Sequence, residues 1–303
     1  MEEDMRIVPM TYDKVFKGVL LSKEARGYLV SLISNITGID KEKIKDNIVF
    51  KNNEQLLGNI KEKKKITDML IEIKDNVINL EMNKEYYEGL LDRNNEYISK
   101  IRETLVKEGE NYSDIPKIIQ INFDNYNIYK PDKRVVIKFE MMDKECKIRE
   151  GVNVESYHVI LPNAKEKYYN NEKDALVKEL MVMMAETSKE LEKLIKENME
   201  LRPVGEKLKD LNDDSSLLLE YDYEEHQRRV RNSLMSTAIK KGWNEGKEEG
   251  IKEGIEKGIE KGKIEGALES KIDIAKNMLD KNFEINLISQ ITGLSIEEIK
   301  GIL

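Results

Sequence analysis

Three side chains offer a route into the chemistry of this chain: Asp68, Glu81 and Asn83. Glu81 and Asn83 stand two apart in VINLEMN (77–83), where Ile78, Leu80 and Met82 alternate with Asn79, Glu81 and Asn83. Successive side chains of an extended strand leave opposite faces, so this run predicts a strand with one apolar and one polar face. Just upstream, ITDMLIEIK (66–74) also alternates, and Asp75-Asn76 reads as a two-residue turn joining the two runs into a β-hairpin. Antiparallel pairing would then bring Asp68 close to Glu81. Two carboxylates with an amide beside them form an oxygen-rich site suited to Mg²⁺ or Mn²⁺. Such an ion, bound to a phosphodiester, polarises the phosphoryl oxygen and activates a water for in-line attack. Acidic and amide residues are equally ordinary on the solvated face of a half-buried hairpin, so the spacing alone leaves both readings open.

The elements that must position these residues follow from periodicity. Val15, Phe16, Val19, Leu20, Tyr28, Leu29 and Ile33 predict a helix or helix pair over 11–35. Residues 85–108 read as a long helix ending near Gly109. Further strands are predicted at KIIQINFD (117–124), RVVIKFEM (134–141) and SYHVILP (156–162). Helix, strands, helix, strands is the order of an α/β domain, here expected over 8–170. Helical patterns follow over 171–240, interrupted near Pro203.

The tail carries an internal repeat. Glycine recurs every fourth residue from Gly242 to Gly266, with Ile251, Ile255 and Ile259 at the same spacing and Glu/Lys between them. A period of four drifts by about 40° per repeat on a helix, so the glycines of 241–268 would form a slowly spiralling stripe. Each interior glycine costs on the order of 1 kcal/mol relative to alanine. Either a close helix–helix approach offsets that cost or the segment is a flexible charged connector. Residues 269–303 form a small helical unit whose TGLS turn has helix-turn-helix spacing. Glu297 and Glu298 begin its last helix, suit the helix dipole and would repel DNA. A packing or oligomerisation unit is therefore expected there rather than a DNA reader.

Composition narrows the classes. The 303 residues include 36% charged side chains, and the net charge of −8 argues against coating nucleic acid through bulk charge. Lys61 to Lys65 is a locally basic exception. No run approaches the roughly 20 apolar residues of a membrane helix, and the N-terminus shows no secretory signal, so no membrane association is expected. Cys146 is the only cysteine, which rules out an intramolecular disulfide and fits the cytoplasm. His158 and His226 lack partners at zinc spacing, and His158 reads as a satisfied core residue. The glycine run has no phosphate-binding G-x-x-x-x-G-K-[ST] pattern.

The stretch from TDMLIEIK through NLEMNKEYYEGLLDRNNEYISKI resembles the catalytic segment of the Rpn family of recombination-promoting nucleases, labelled PD-(D/E)XK transposases. That family has an Asp on one strand, E-x-Q on the next, and an Arg followed by a Tyr one turn later on a helix. Asp68, Glu81-Met82-Asn83, Arg93 and Tyr97 stand at those positions. The opening Asp13…Phe16-Lys17, the Gly-x-x-x repeats and the ending IAKNML…ISQITGLSIEEI extend the resemblance over nearly the whole chain. It implies a restriction-endonuclease-like mixed sheet flanked by helices, followed by an all-helical C-terminal extension. It further implies a cytoplasmic, Mg²⁺- or Mn²⁺-dependent DNA endonuclease acting in recombination, mobile elements or phage defence. Asp68 and Glu81 would ligate the metal, Asn83 would position water, and Arg93, Tyr97 and Lys74 would approach DNA. The tail would make a homo-oligomer. One departure stands out: Asn83 occupies a position where this family has Gln and the wider superfamily Lys. A rival reading is thus a catalytically weakened or inactive nuclease fold that serves as a DNA-binding or assembly module. Arg93 paired with Asp92 or Glu96, a packing role for Tyr97, and Asp13 as a cap or surface charge are the alternatives at those positions.

Overall fold

The computed structural model describes residues 4–51, 69–106, 111, 114–149 and 153–302. Asp68 and the basic run Lys61 to Lys65 lie outside the described residues. Two compact units are resolved, Met1–Glu224 and Glu225–Leu303.

The first unit is built on a six-stranded mixed sheet of order β1-β2-β3-β4-β6-β5. The strands are β1 (Ile48–Lys51), β2 (Met69–Ile73), β3 (Asn76–Asn83), β4 (Lys117–Asp124), β5 (Val136–Phe139) and β6 (Val154–Ile160). β2 and β3 pair antiparallel as the hairpin, whereas β3, β4 and β6 run parallel. The hairpin turn falls one residue earlier than expected. Ile73 pairs with Asn76, which leaves Lys74-Asp75 as the turn. Lys74 takes the left-handed φ of 45° that reverses the chain there.

Parallel neighbours need a crossover, and α4 (Leu90–Leu105) supplies it between β3 and β4. This helix starts five residues later than the periodicity predicts, because Gly89 at φ 87° sets its N-cap. Ile98, Ile101 and Leu105 pack over Leu70, Val77 and Ile118, which anchors the far half of α4 on the sheet. Arg93 and Asn94 in its first turns lie over the polar half.

The opposite sheet face is apolar. Ile78, Leu80, Ile119, Ile121, Phe123 and Val159 join a core with α1 (Asp13–Leu20) and α2 (Arg26–Thr37). Phe16 meets Phe123 edge-on at 5.7 Å. Two short elements that sequence periodicity did not show, α3 (Lys41–Asn47) and β1, complete this side. The helices α5 (Leu161–Tyr169), α6 (Ala175–Met184), α7 (Ser188–Glu197) and α8 (Arg202–Asn212) contribute Leu180, Met183, Leu191, Leu194, Val204 and Leu208 to the same core. Pro203 opens α8 rather than breaking a helix, as its fixed φ and missing N–H allow at a first turn.

The glycine repeat lies within one continuous helix, α9 (Ser215–Asp280), not in a flexible connector. In the second unit, Ala275 of α9 packs with Ile288 of α10 (Ile285–Thr292), Leu294 and Ile299 of α11 (Ile296–Lys300). Gly293 makes the α10–α11 turn at φ 71°. No helix among the described residues is long and apolar enough to cross a membrane.

Candidate active site

The polar face of β3 continues across the sheet. Parallel register sets Asn79 beside Gln120, Glu81 beside Asn122 and Asn83 beside Asp124. One strand further, Gln120 lies beside Ser156 and Asn122 beside His158. Glu81, Asn83, Asn79, Gln120, Asn122, Asp124 and His158 are all buried. A sheet face this polar survives burial only if its groups satisfy one another.

All but Asn79 Oδ1 do so in a chain. Asn79 Nδ2 donates to Gln120 Oε1 (2.8 Å) and Glu81 Oε1 (3.2 Å). Gln120 Nε2 donates to Asn122 Oδ1 (3.1 Å), which also accepts from Asn94 Nδ2 of α4 (3.0 Å). Asn83 Nδ2 donates to Asp124 Oδ1 (2.9 Å), and Asn83 Oδ1 accepts from Arg93 Nη2 (3.0 Å). The same Arg93 nitrogen lies 4.0 Å from Glu81 Oε2. Asp124 also accepts from Tyr126 OH (2.9 Å), and its Oδ2 lies 2.6 Å from His158 Nδ1. Burial first, and then the Asp124 charge, push the Tyr126 hydroxyl far above its ordinary pKa and Tyr129 up to about 12. Tyr126 is therefore a permanent donor to Asp124.

The expected site residues divide into three groups. Glu81, Asn83, Arg93 and Tyr97 come together: Arg93 turns to Asn83, and its guanidinium carbon sits 5.2 Å from the Tyr97 ring centroid and 5.8 Å from that of Tyr87. Asp68 lies outside the described residues. Lys74 does not join the others, because it sits at the opposite end of β3, roughly 20 Å from Asn83 at about 3.3 Å per residue. Lys84 leaves the other face, over the Tyr12 and Tyr221 rings. Asp13 pairs with Lys17 one turn along α1 (2.7 Å), as a surface charge does.

Sequence reasoning missed Asp124, Asn79, Gln120, Asn122 and Asn94. The signal existed in the alternation of Gln120, Asn122 and Asp124 within KIIQINFD, but only the parallel register sets it beside β3. His158 is buried and hydrogen-bonded, as a core histidine should be, yet its partner is the carboxylate beside Asn83.

Two observations bear on a divalent cation. Glu81 offers a buried carboxylate, and the adjacent Asn79 Oδ1 is buried without a hydrogen-bond partner. An oxygen set of this kind fits a hard cation such as Mg²⁺ or Mn²⁺. Among the described residues no group of three or more His, Cys, Asp or Glu side chains is arranged to hold a metal.

Residues 10–238 match the PD-(D/E)XK nuclease family transposase. The chain belongs to this family. Residues 268–303 match the C-terminal HTH domain of the Rpn/YhgA-like nuclease family. Comparison with curated proteins and with solved structures gives no match. Membership in a PD-(D/E)XK nuclease family points to a nuclease- or transposase-like function, and the HTH match suggests DNA binding, beside the packing unit expected from Glu297 and Glu298. Glu298 Oε2 is turned back onto Ser295 N and Oγ, both at 2.7 Å, so its carboxylate closes its own helix start.

An ion cluster around the buried Glu155 lies on the opposite face of β6, with its lysines reaching the surface. Burial alone would raise the Glu155 carboxyl, but hydrogen bonds from Lys117, Lys138 and Tyr157 outweigh it and lower its pKa from 4.5 to about 2. A depressed pKa in the folded state stabilises the fold above about pH 4.5 and loses that contribution as pH falls towards about 2. Denaturation midpoints measured across this window are expected to fall less steeply for Glu155→Gln than for wild type. Parallel curves would remove Glu155 from the acid response.

Proposed function

We propose that this chain is a metal-dependent DNA endonuclease that hydrolyses phosphodiester bonds, linked to recombination, mobile elements or phage defence. The observation that carries the reading is Glu81 and Asn83, buried on one strand face with Arg93 bonded to Asn83 and 4.0 Å from Glu81, in a chain of a PD-(D/E)XK family. Asp68, one residue before the Met69 that pairs with Leu80, is the second ligand in this proposal. Asp68 and Glu81 would hold Mg²⁺ or Mn²⁺, and such an ion supplies Lewis-acid polarisation of a phosphoryl oxygen and a more acidic water.

The chain's own residues do the rest. Asn83 has one amide hydrogen committed to Asp124 and one carbonyl lone pair to Arg93, which leaves one of each to orient water or a phosphate oxygen. Arg93 spends Nη2 on Asn83 and its Nε is buried, which leaves Nη1 as the donor to meet a phosphate. The Tyr97 ring holds the guanidinium in place. The HTH unit would deliver DNA, and the single exposed Cys146 suits a reducing cytoplasm.

The engagement of both ends of Asn83 also favours the second reading, a weakened nuclease fold that binds DNA or assembles without cutting. Plasmid cleavage with Mg²⁺ or Mn²⁺ separates the two. Wild type is expected to nick or cut, while Asp68→Ala and Glu81→Ala lose at least about 100-fold in rate, the scale of removing a group that acts in the transition state. Asn83→Gln is expected to retain or raise activity. A wild type that never cuts, or mutants that equal it, would reject the endonuclease.

For the tail, homo-oligomerisation through α9 is proposed. Ile251, Ile255 and Ile259 are exposed, and nothing approaches the seven glycines within 4 Å. A second copy packed along this stripe would offset their helix cost of on the order of 1 kcal/mol each. Light scattering should show a smaller assembly once residues from Gly242 onward are removed; an unchanged oligomer number excludes the stripe.

A further inference from the structure

The mechanism above leaves Asp124 and His158 without a role, although both are buried beside Asn83. We propose that Asp124, anchored by His158, is the positioning residue that fixes the Asn83 amide and thereby sets the Arg93 guanidinium beside Glu81. The proposal rests on the reading of Glu81 and Asn83 as an active site and adds what holds that site in register.

An amide can present either of its ends to a neighbour, and on an exposed strand Asn83 would choose freely. Here its two neighbours have opposite and fixed polarity. A carboxylate accepts and a guanidinium only donates. Asp124 Oδ1 therefore takes the NH₂ end at 2.9 Å, and the carbonyl is left for Arg93 Nη2 at 3.0 Å. Flipping the amide would set carbonyl against carboxylate and NH₂ against guanidinium. Both contacts would turn repulsive at once.

The carboxylate is in turn held on both oxygens. Tyr126 OH donates to Oδ1, and His158 Nδ1 lies 2.6 Å from Oδ2. The imidazole is itself clamped by the rings of Tyr129 and Phe139, at 5.3 and 5.5 Å between centroids. The relay thus runs from β6 through β4 and β3 to α4. Its last link sets how near the Arg93 charge comes to Glu81. The 4.0 Å separation there is longer than a tight ion pair, because the same nitrogen is bonded to Asn83.

The test uses the full-length protein. Asp124→Asn keeps the volume but no longer dictates which end Asn83 presents. Steady-state cleavage is expected to fall about 10- to 100-fold in kcat with KM little changed, the pattern of a lost positioning partner. His158→Phe, which keeps a ring between Tyr129 and Phe139 but cannot bond Asp124, should act in the same direction. Glu155→Gln removes a buried charge from the other face of the same sheet and is expected to leave cleavage at the wild-type level. An independent readout is the guanidinium N–H signals of Arg93 in ¹⁵N-arginine-labelled protein, assigned by their loss in Arg93→Lys. They should be resolved in wild type and collapse to a freely rotating average in Asp124→Asn. Unchanged Arg93 signals in Asp124→Asn, or an unchanged kcat, would overturn the relay. If wild type cuts no DNA, the endonuclease reading fails separately, and the Arg93 signals still decide the relay.

Discussion

Everything around the site depends on one constraint: a row of polar side chains is buried across three parallel strands, and nearly all of its polar atoms must find partners inside the protein, Asn79 Oδ1 being the exception. Leaving one such group unpaired costs on the order of 1–3 kcal/mol, so a half-completed row would strain the fold. The parallel register of β3, β4 and β6 solves most of this by matching amide to amide and amide to carboxylate. The remainder must come from above. The first turns of α4 bring Asn94 to Asn122 and Arg93 to Asn83, while the later turns pack on apolar ground at Val77 and Ile118. A single helix is thus apolar where the sheet face is apolar and polar where it is polar.

This division explains what the sequence made legible. The alternation in VINLEMN showed two faces because the apolar face meets a full core and the polar one does not. KIIQINFD was found as a strand with its observed bounds, whereas the glycine period left a helix and a flexible connector both open. What escaped were relations between segments. Nothing within KIIQINFD says that Gln120, Asn122 and Asp124 lie beside Asn79, Glu81 and Asn83, since register is fixed by a crossover of more than thirty residues. The hairpin turn slipped by one because Lys74, a residue with no turn preference, accepts the left-handed conformation. β1 is four residues long and its apolar positions are only half buried, too little for periodicity to reveal.

The candidate site was legible in part for the same reason. Glu81, Asn83, Arg93 and Tyr97 lie in one continuous stretch of chain, within a strand, a loop and a helix, so a local family motif could relate them. Asp124 and His158 come from two later strands, and only the folded sheet makes them neighbours of Asn83. A chain of net charge −8 nevertheless carries a stretch that matches an HTH domain, so DNA binding, where it is suggested, is suggested for one local unit rather than for the surface as a whole.

The central claim is that the buried carboxylate of this polar row is a metal ligand, and anomalous diffraction from crystals grown with Mn²⁺ addresses it most directly. The account predicts an anomalous peak at coordination distance, about 2.1 Å, from the Glu81 carboxylate, with Asp68 as a second ligand. No peak at Glu81, or Mn²⁺ bound only elsewhere in the protein, would contradict it.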